Sequence, residues 1–87
     1  MDIEFDTAKD AANMDKHGIS LAVALLIFET MVADIRDDRR DDGEERFNAF
    51  GFVGGRLYAC SYTLHGTRYR IISVRKANRQ EQRRWQS

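Results

Sequence analysis

This chain has one cysteine, no apolar run longer than eight residues and no excess of either charge. A lone Cys60 cannot form an internal disulfide, and no Cys/His cluster has the spacing of zinc ligands, so a disulfide scaffold and a zinc module are both excluded. The longest apolar run, residues 21–28, is too short to cross a bilayer, and no membrane association is expected. The opening Met1-Asp2-Ile3-Glu4 carries the wrong charge for a signal peptide, which points to a cytoplasmic protein. A glycine-rich phosphate loop, HExxH and GxSxG are all missing, and nothing repeats at a fixed period. No metal or cofactor is expected.

What is present is a small chain with a hidden polarity. Its 87 residues suit one domain, 1–87, with a modest core. The 14 Lys+Arg and 14 Asp+Glu cancel in total but not in place. Residues 1–45 hold 13 acids and only five bases (Lys9, Lys16, Arg36, Arg39, Arg40), a net of −8. Residues 46–87 hold nine bases and a single acid, Glu81, a net of +8. A near-neutral sum on such a chain says nothing about its partners, whereas the split does.

Local patterns set out the elements. Ile3-Glu4-Phe5 reads as a short strand. Asp6 is a helix N-cap, and Gly18 ends that helix after His17. Ser20 caps a second helix over 21–28, which is apolar around its circumference and therefore expected to be buried. Residues 31–36 suit a strand, and 37–43 a charged loop. From Glu45 the period becomes two, giving strand-like runs over 46–53, 56–64 and 67–75. Gly54-Gly55 and His65-Gly66 serve as the hairpin turns. The doublet Ile71-Ile72 suggests a third run buried on both faces and hence central. Asn78, with Glu81 three residues on, opens a terminal helix. The fold class is α+β: an antiparallel sheet with two N-terminal helices packed on one face and a short C-terminal helix, the helices being expected on one side.

The basic half carries the chemistry. Arg68, Arg70, Arg75, Lys76, Arg79, Arg83 and Arg84 crowd into 17 residues, with Tyr58, Tyr62, Tyr69 and Trp85 nearby in sequence. Guanidinium forks suit phosphate oxygens, and aromatic faces suit unstacked bases. The same charge also suits a solvated surface or an acidic protein partner. On a regular strand Arg70 and Arg75 point to opposite faces, so they serve one phosphate only if a bulge intervenes. Glu81 is either a general base or a capping and arginine-pairing residue. His17 and His65 resemble a ribonuclease pair by type alone, since one ends a helix and the other sits in a turn. Cys60 reads as a small core residue. Ser73 has no histidine base in sequence reach.

The blocks Ile3-Glu4-Phe5-Asp6-Thr7-Ala8-Lys9, Asn13, Lys16-His17-Gly18-Ile19-Ser20, and Arg70-Ile71-Ile72-Ser73-Val74-Arg75-Lys76-Ala77 with Glu81 and Trp85 resemble the BrnT toxin family over almost the whole chain. The family usually has proline where Thr7 stands, a change that touches only helix stability. The resemblance implies a RelE-like ribonuclease fold and the toxin half of a type II toxin–antitoxin module. It also implies translation blocked by RNA cleavage, and neutralisation by a BrnA antitoxin, with a homodimer or a heterotetramer with antitoxin as the assembly. It implies Arg70, Ser73, Arg75 and Glu81 as site residues, with Arg46 and Tyr62 beside them. The expected reaction needs no metal, since the RNA 2′-hydroxyl is its own nucleophile. Arg70 or Arg75 would meet the developing charge. Lys76, Arg79 and Arg83 would hold flanking phosphates, and Trp85 or Tyr62 would stack on a base. The alternatives are a non-catalytic RNA-binding module and a protein-interaction domain with a basic docking face.

Overall fold

The computed structural model describes residues 1–38 and 44–86. Helix α1 (Thr7–His17) starts where Asp6, in an extended conformation, accepts from the Ala8 amide, and stops at Gly18. Gly18 has φ 70° and donates its amide to the Met14 carbonyl at 2.8 Å, the left-handed termination that glycine takes without strain. Asn13 is the one buried residue of α1. Its amide donates to the Ile19 and Val74 carbonyls at 2.8 and 2.9 Å and accepts from the Val74 amide at 3.2 Å.

The second helix differs from the expectation. A 3₁₀ turn at Leu21–Val23, capped by Ser20, leads into a short α2 (Ala24–Glu29). Leu21, Ala24, Ile27 and Phe28 are buried, but Leu25 and Leu26 are 42% and 46% exposed. A helix lying on a sheet hides one stripe at i, i+3 and i+4, so apolar residues outside that stripe stay in solvent. Gly51 lets α2 lie flush on its neighbour, because a Cβ there would overlap the Ile27 carbonyl.

The sheet has five strands: β1 (Ile3–Glu4), β2 (Ala33–Asp37), β3 (Arg46–Val53), β4 (Arg56–His65) and β5 (Arg68–Lys76). Their order is β1-β5-β4-β3-β2. The sheet is mixed rather than antiparallel, since β1 runs parallel to β5 through Ile3–Tyr69 and Glu4–Arg70. The other neighbours are antiparallel. The central strand is β4, not β5. The turn at Gly54-Gly55 has φ 57° and 79°, as a tight type I′ hairpin requires. The other hairpin turns one residue later than expected, at Gly66-Thr67, because β4 extends to His65.

Alternation divides the sheet into two faces. Ala49, Cys60, Tyr62, Ile71 and Val74 pack with Leu21, Ala24, Ile27 and Phe28. Phe50, Leu57 and Ala59 pack with Ala77 and Trp85. Helix α3 (Arg79–Trp85) therefore lies across from α1 and α2, against the expectation of one helical side. Trp85 is what fixes it there, with its ring 6.0 Å from that of Phe50. The residues of β3 that alternate with the helix-covered Ala49 would otherwise be bare.

Candidate functional site

The second face of the sheet is built by an irregularity in β5. Ser61 of β4 pairs with Ser73, but the next residue, Tyr62, pairs with Ile71, so Ile72 has no partner. One unpaired residue reverses the alternation beyond it. Arg68 and Arg70 therefore share a face with Ser73 and Arg75, which a regular strand would forbid. The Ile71-Ile72 doublet marks this bulge rather than a central strand: Ile71 is buried in the helix-covered layer and Ile72 is the extra residue. Asn48 and Phe50 of β3 stand on the same face, opposite Ser61 and Ala59. Arg46 follows in the same phase, opposite Asp37 of β2.

The arginines of β5 on this face are held by carboxylates. Glu81 receives the Arg75 fork at 2.8 and 3.0 Å, the bidentate geometry that planar guanidinium favours. Glu81 also closes the helix cap: its Oε1 accepts from the Asn78 amide at 2.8 Å, and its own amide donates to Asn78 Oδ1 at 2.8 Å. Capping and arginine pairing, weighed as alternatives to base catalysis, are thus one arrangement. Glu4 does the same for Arg70, accepting from Nε at 2.9 Å and lying 2.8 Å from Nη2. His65 Nδ1 lies 3.1 Å from the same oxygen, and Arg68 3.8 Å from the other.

The Glu4 carboxyl feels opposing influences. Loss of water around it pushes its pKa up, but hydrogen bonds from His65 and Arg70 and the Arg70 charge outweigh that and hold it below the usual 4.5. A carboxyl depressed by folding stabilises the native state above its unfolded value, and that contribution is lost as pH falls through the folded value. Glu4→Gln is therefore expected to lose part of the wild type's stability above pH 4.5 and to converge on it below. Urea midpoints over descending pH check this; parallel curves would exclude it.

A cleft of about 810 Å³ opens between α3 and the β2–β3 side of this face. Ile35, Asn48, Phe50 and Trp85 line it together with Arg75, Glu81, Arg83 and Arg84. Arg84 also lies over the Trp85 ring, 4.9 Å from its centre. Of the acidic stretch 37–42, Asp37 and Asp38 border the cleft, while residues 39–42 lie outside the described residues.

The expected site residues are not all gathered here. Arg70, Ser73, Arg75, Glu81, Arg46, Arg83 and Trp85 belong to this face or its cleft. Tyr62 does not: it pairs with Phe47 and Ile71 on the helix-covered face, is 3% exposed, and donates to both Asp34 oxygens at 2.8 Å. Burial and then Asp34 push its ionisation far above the ordinary phenol value. Stacking on a base is closed to it in this arrangement. Lys76, opposite Tyr58, is exposed at the end of β5 and has the phase of the helix-covered face. Arg79 begins α3 and does not line the cleft.

His17 ends α1 while His65 ends β4 on Glu4, so the two histidines do not form a pair. Cys60 is fully buried, and burial raises its thiol pKa to about 12. Among the described residues no three His, Cys, Asp or Glu side chains gather as a metal site.

Glu4 and the Asn48–Ser61 pair are the contributors that sequence reasoning missed. The pair was accessible, because counting outward from Gly54-Gly55 sets 48 against 61. Glu4 was not, because nothing local foretells that two residues at the start of the chain pair with β5.

A family model described as the ribonuclease toxin BrnT of type II toxin–antitoxin systems matches residues 5–81. No curated protein matches the chain.

Proposed function

The chain belongs to the BrnT family of type II toxin–antitoxin ribonuclease toxins, and from that premise we propose that the bulged face of β5 is its RNA-cleavage site. The observation that carries the reading is the phase change at Ile72, which leaves Arg70, Ser73 and Arg75 on one face. In the proposed reaction the RNA 2′-hydroxyl attacks the adjacent phosphorus and displaces the 5′-oxygen, water taking the hydroxyl proton and returning one to the leaving oxygen, so that a 2′,3′-cyclic phosphate and a 5′-hydroxyl result. Negative charge builds on the phosphoryl oxygens, and a preorganised guanidinium stabilises it most when it need not reorient during the step. Arg75 suits that role, since Glu81 holds it from the side at 2.8 and 3.0 Å. Glu81 is thereby a positioning residue. Arg70, steadied by Glu4, receives a neighbouring phosphate. Ser73 lies between them and donates to a phosphoryl oxygen. Arg46 and Arg83 extend the phosphate track, and Trp85 offers the stacking surface.

With arginines supplying the positive charge, the reaction is proposed to be metal-independent. The fold is proposed to be RelE-like, and a BrnA-type antitoxin to neutralise the protein in a heterotetramer, in a cytoplasmic setting. Incubation of the purified protein with total RNA in EDTA tests the activity. Cleavage is the expected outcome. Salt-sensitive retardation without cleavage would replace this reading with a binding module, and inert RNA would leave only protein docking.

A further inference from the structure

We propose that Asn48 and Ser61 form a base-reading subsite in the cleft, selecting a nucleobase that presents a carbonyl rather than an amino group; the proposal rests on the reading of this face as an RNA site. Ser61 donates its hydroxyl to Asn48 Oδ1 at 2.7 Å, across the β3–β4 pair that sets the two residues opposite each other. An asparagine on an open sheet face ordinarily swivels and offers either end of its amide. Here the acceptor end is tied down. The two hydrogens on Nδ2 have no acceptor among the described residues, and Asn48 lines the cleft.

The surroundings suit a base. Ile35, Phe50 and Trp85 give the cleft an apolar part, while Arg75 and Arg83 supply cations to it. On β5, Ser73 faces Ser61 and Arg75 lies one side-chain repeat further on, about 6.6–6.8 Å along the strand. A nucleotide whose phosphate is held by Arg75 would thus bring its base within reach of Asn48.

The committed carbonyl decides what is read. Adenine is recognised by asparagine through an acceptor and a donor side by side. The Ser61 hydrogen bond takes one of the two lone pairs of Oδ1 and turns that oxygen toward β4, so the amide offers the cleft its donor end. That end suits guanine O6 and N7 or uracil O4. Adenine and cytosine put an amino group in the corresponding place, which leaves donor against donor.

The test compares wild type, Asn48→Asp and Ser61→Ala, each checked for folding by circular dichroism. Cut sites in a mixed RNA pool are mapped by end sequencing, and binding of uncleavable 2′-O-methyl oligouridine and oligocytidine is measured. Wild type is expected to favour guanine or uracil at one position by about tenfold. Asn48→Asp, which turns the donor into an acceptor, is expected to reverse that preference toward adenine or cytosine. Ser61→Ala, which frees the Asn48 amide to swivel, should flatten it. A wild type indifferent to the base, or a preference unmoved in Asn48→Asp and Ser61→Ala, overturns the subsite. A wild type that binds oligouridine over oligocytidine and cuts neither pool nor substrate overturns the ribonuclease reading and keeps the subsite. Cleavage without preference does the reverse.

Discussion

Arg75→Ala is expected to slow RNA cleavage by about two to three orders of magnitude, the loss that follows removal of one preorganised charge donor. Stability should change little, because a partly exposed ion pair contributes on the order of 1 kcal/mol or less, and Arg75 is 37% exposed. Arg75→Lys keeps the charge but not the fork, so activity should fall between wild type and Ala. Glu81 separates the two roles weighed for it. Glutamine at 81 retains an acceptor for the Asn78 amide, so the helix cap survives, while the charged clamp on Arg75 is lost. Glu81→Gln is expected to lower the rate by about tenfold and leave the shape of the pH–rate profile unchanged. A drop as deep as that of Arg75→Ala, with loss of the profile's acid limb, would make Glu81 a general base instead. Single-turnover cleavage of one defined RNA by wild type and the three variants, over a series of pH values, gives these comparisons. An Arg75→Ala protein that is folded and as fast as wild type would move the chemistry away from this face.

The second large effect is on the fold. Asn13→Ala is expected to destabilise the protein by about 3 kcal/mol, because it strands the Val74 amide, the Val74 carbonyl and the Ile19 carbonyl together. For a domain of this size that is roughly 12–24 °C in melting temperature. The reason lies at the edge of the sheet. Strand β1 covers β5 only at Tyr69 and Arg70. Four residues on, the side chain of Asn13 takes the place of the missing strand, accepting from one backbone amide and donating to the carbonyl of the same residue. Asn13→Asp should be no better, since it keeps the acceptor and sets a charge against two carbonyls. A melting temperature within a few degrees of wild type in Asn13→Ala would show that water replaces the amide.

Some of this architecture was legible in the chain and some was not, along physical lines. The caps at Asp6, Gly18, Ser20 and Asn78 were readable because capping depends on a handful of adjacent residues. The Gly54-Gly55 hairpin was readable for the same reason. The parallel pairing of Ile3 and Glu4 with β5 joins residues 66 apart in sequence and leaves no periodic trace. The side chosen by α3 turns on contacts with distant residues, Trp85 on Phe50 above all.

The exposed Leu25 and Leu26 show that an apolar run states which residues are able to be buried, not which are. On the proposed RNA face, the arginines and Glu81 were visible as a charge anomaly, and the pairing of Arg75 with Glu81 followed from chemistry. Tyr62 misled because its type suited RNA, while its phase on β4 sent it under the helices. The bulge was stated only as a condition, and it is the condition on which the face depends.

That bulge has a consequence for how the chain tolerates change in length. On most of β5, replacing a side chain alters one contact. Ile72 has no partner on β4, so the ladder can lose it without losing a pair. Its removal would set Ile71 beside Ser73 and leave every other residue of β5 on the face it holds now, because adjacent residues of a regular strand already face opposite ways. A single-codon deletion at 72 is therefore expected to keep both the buried layer and the arginine face, whereas pressing Ile72 flat into the ladder would turn Val74 outward and carry Arg75 beneath the helices.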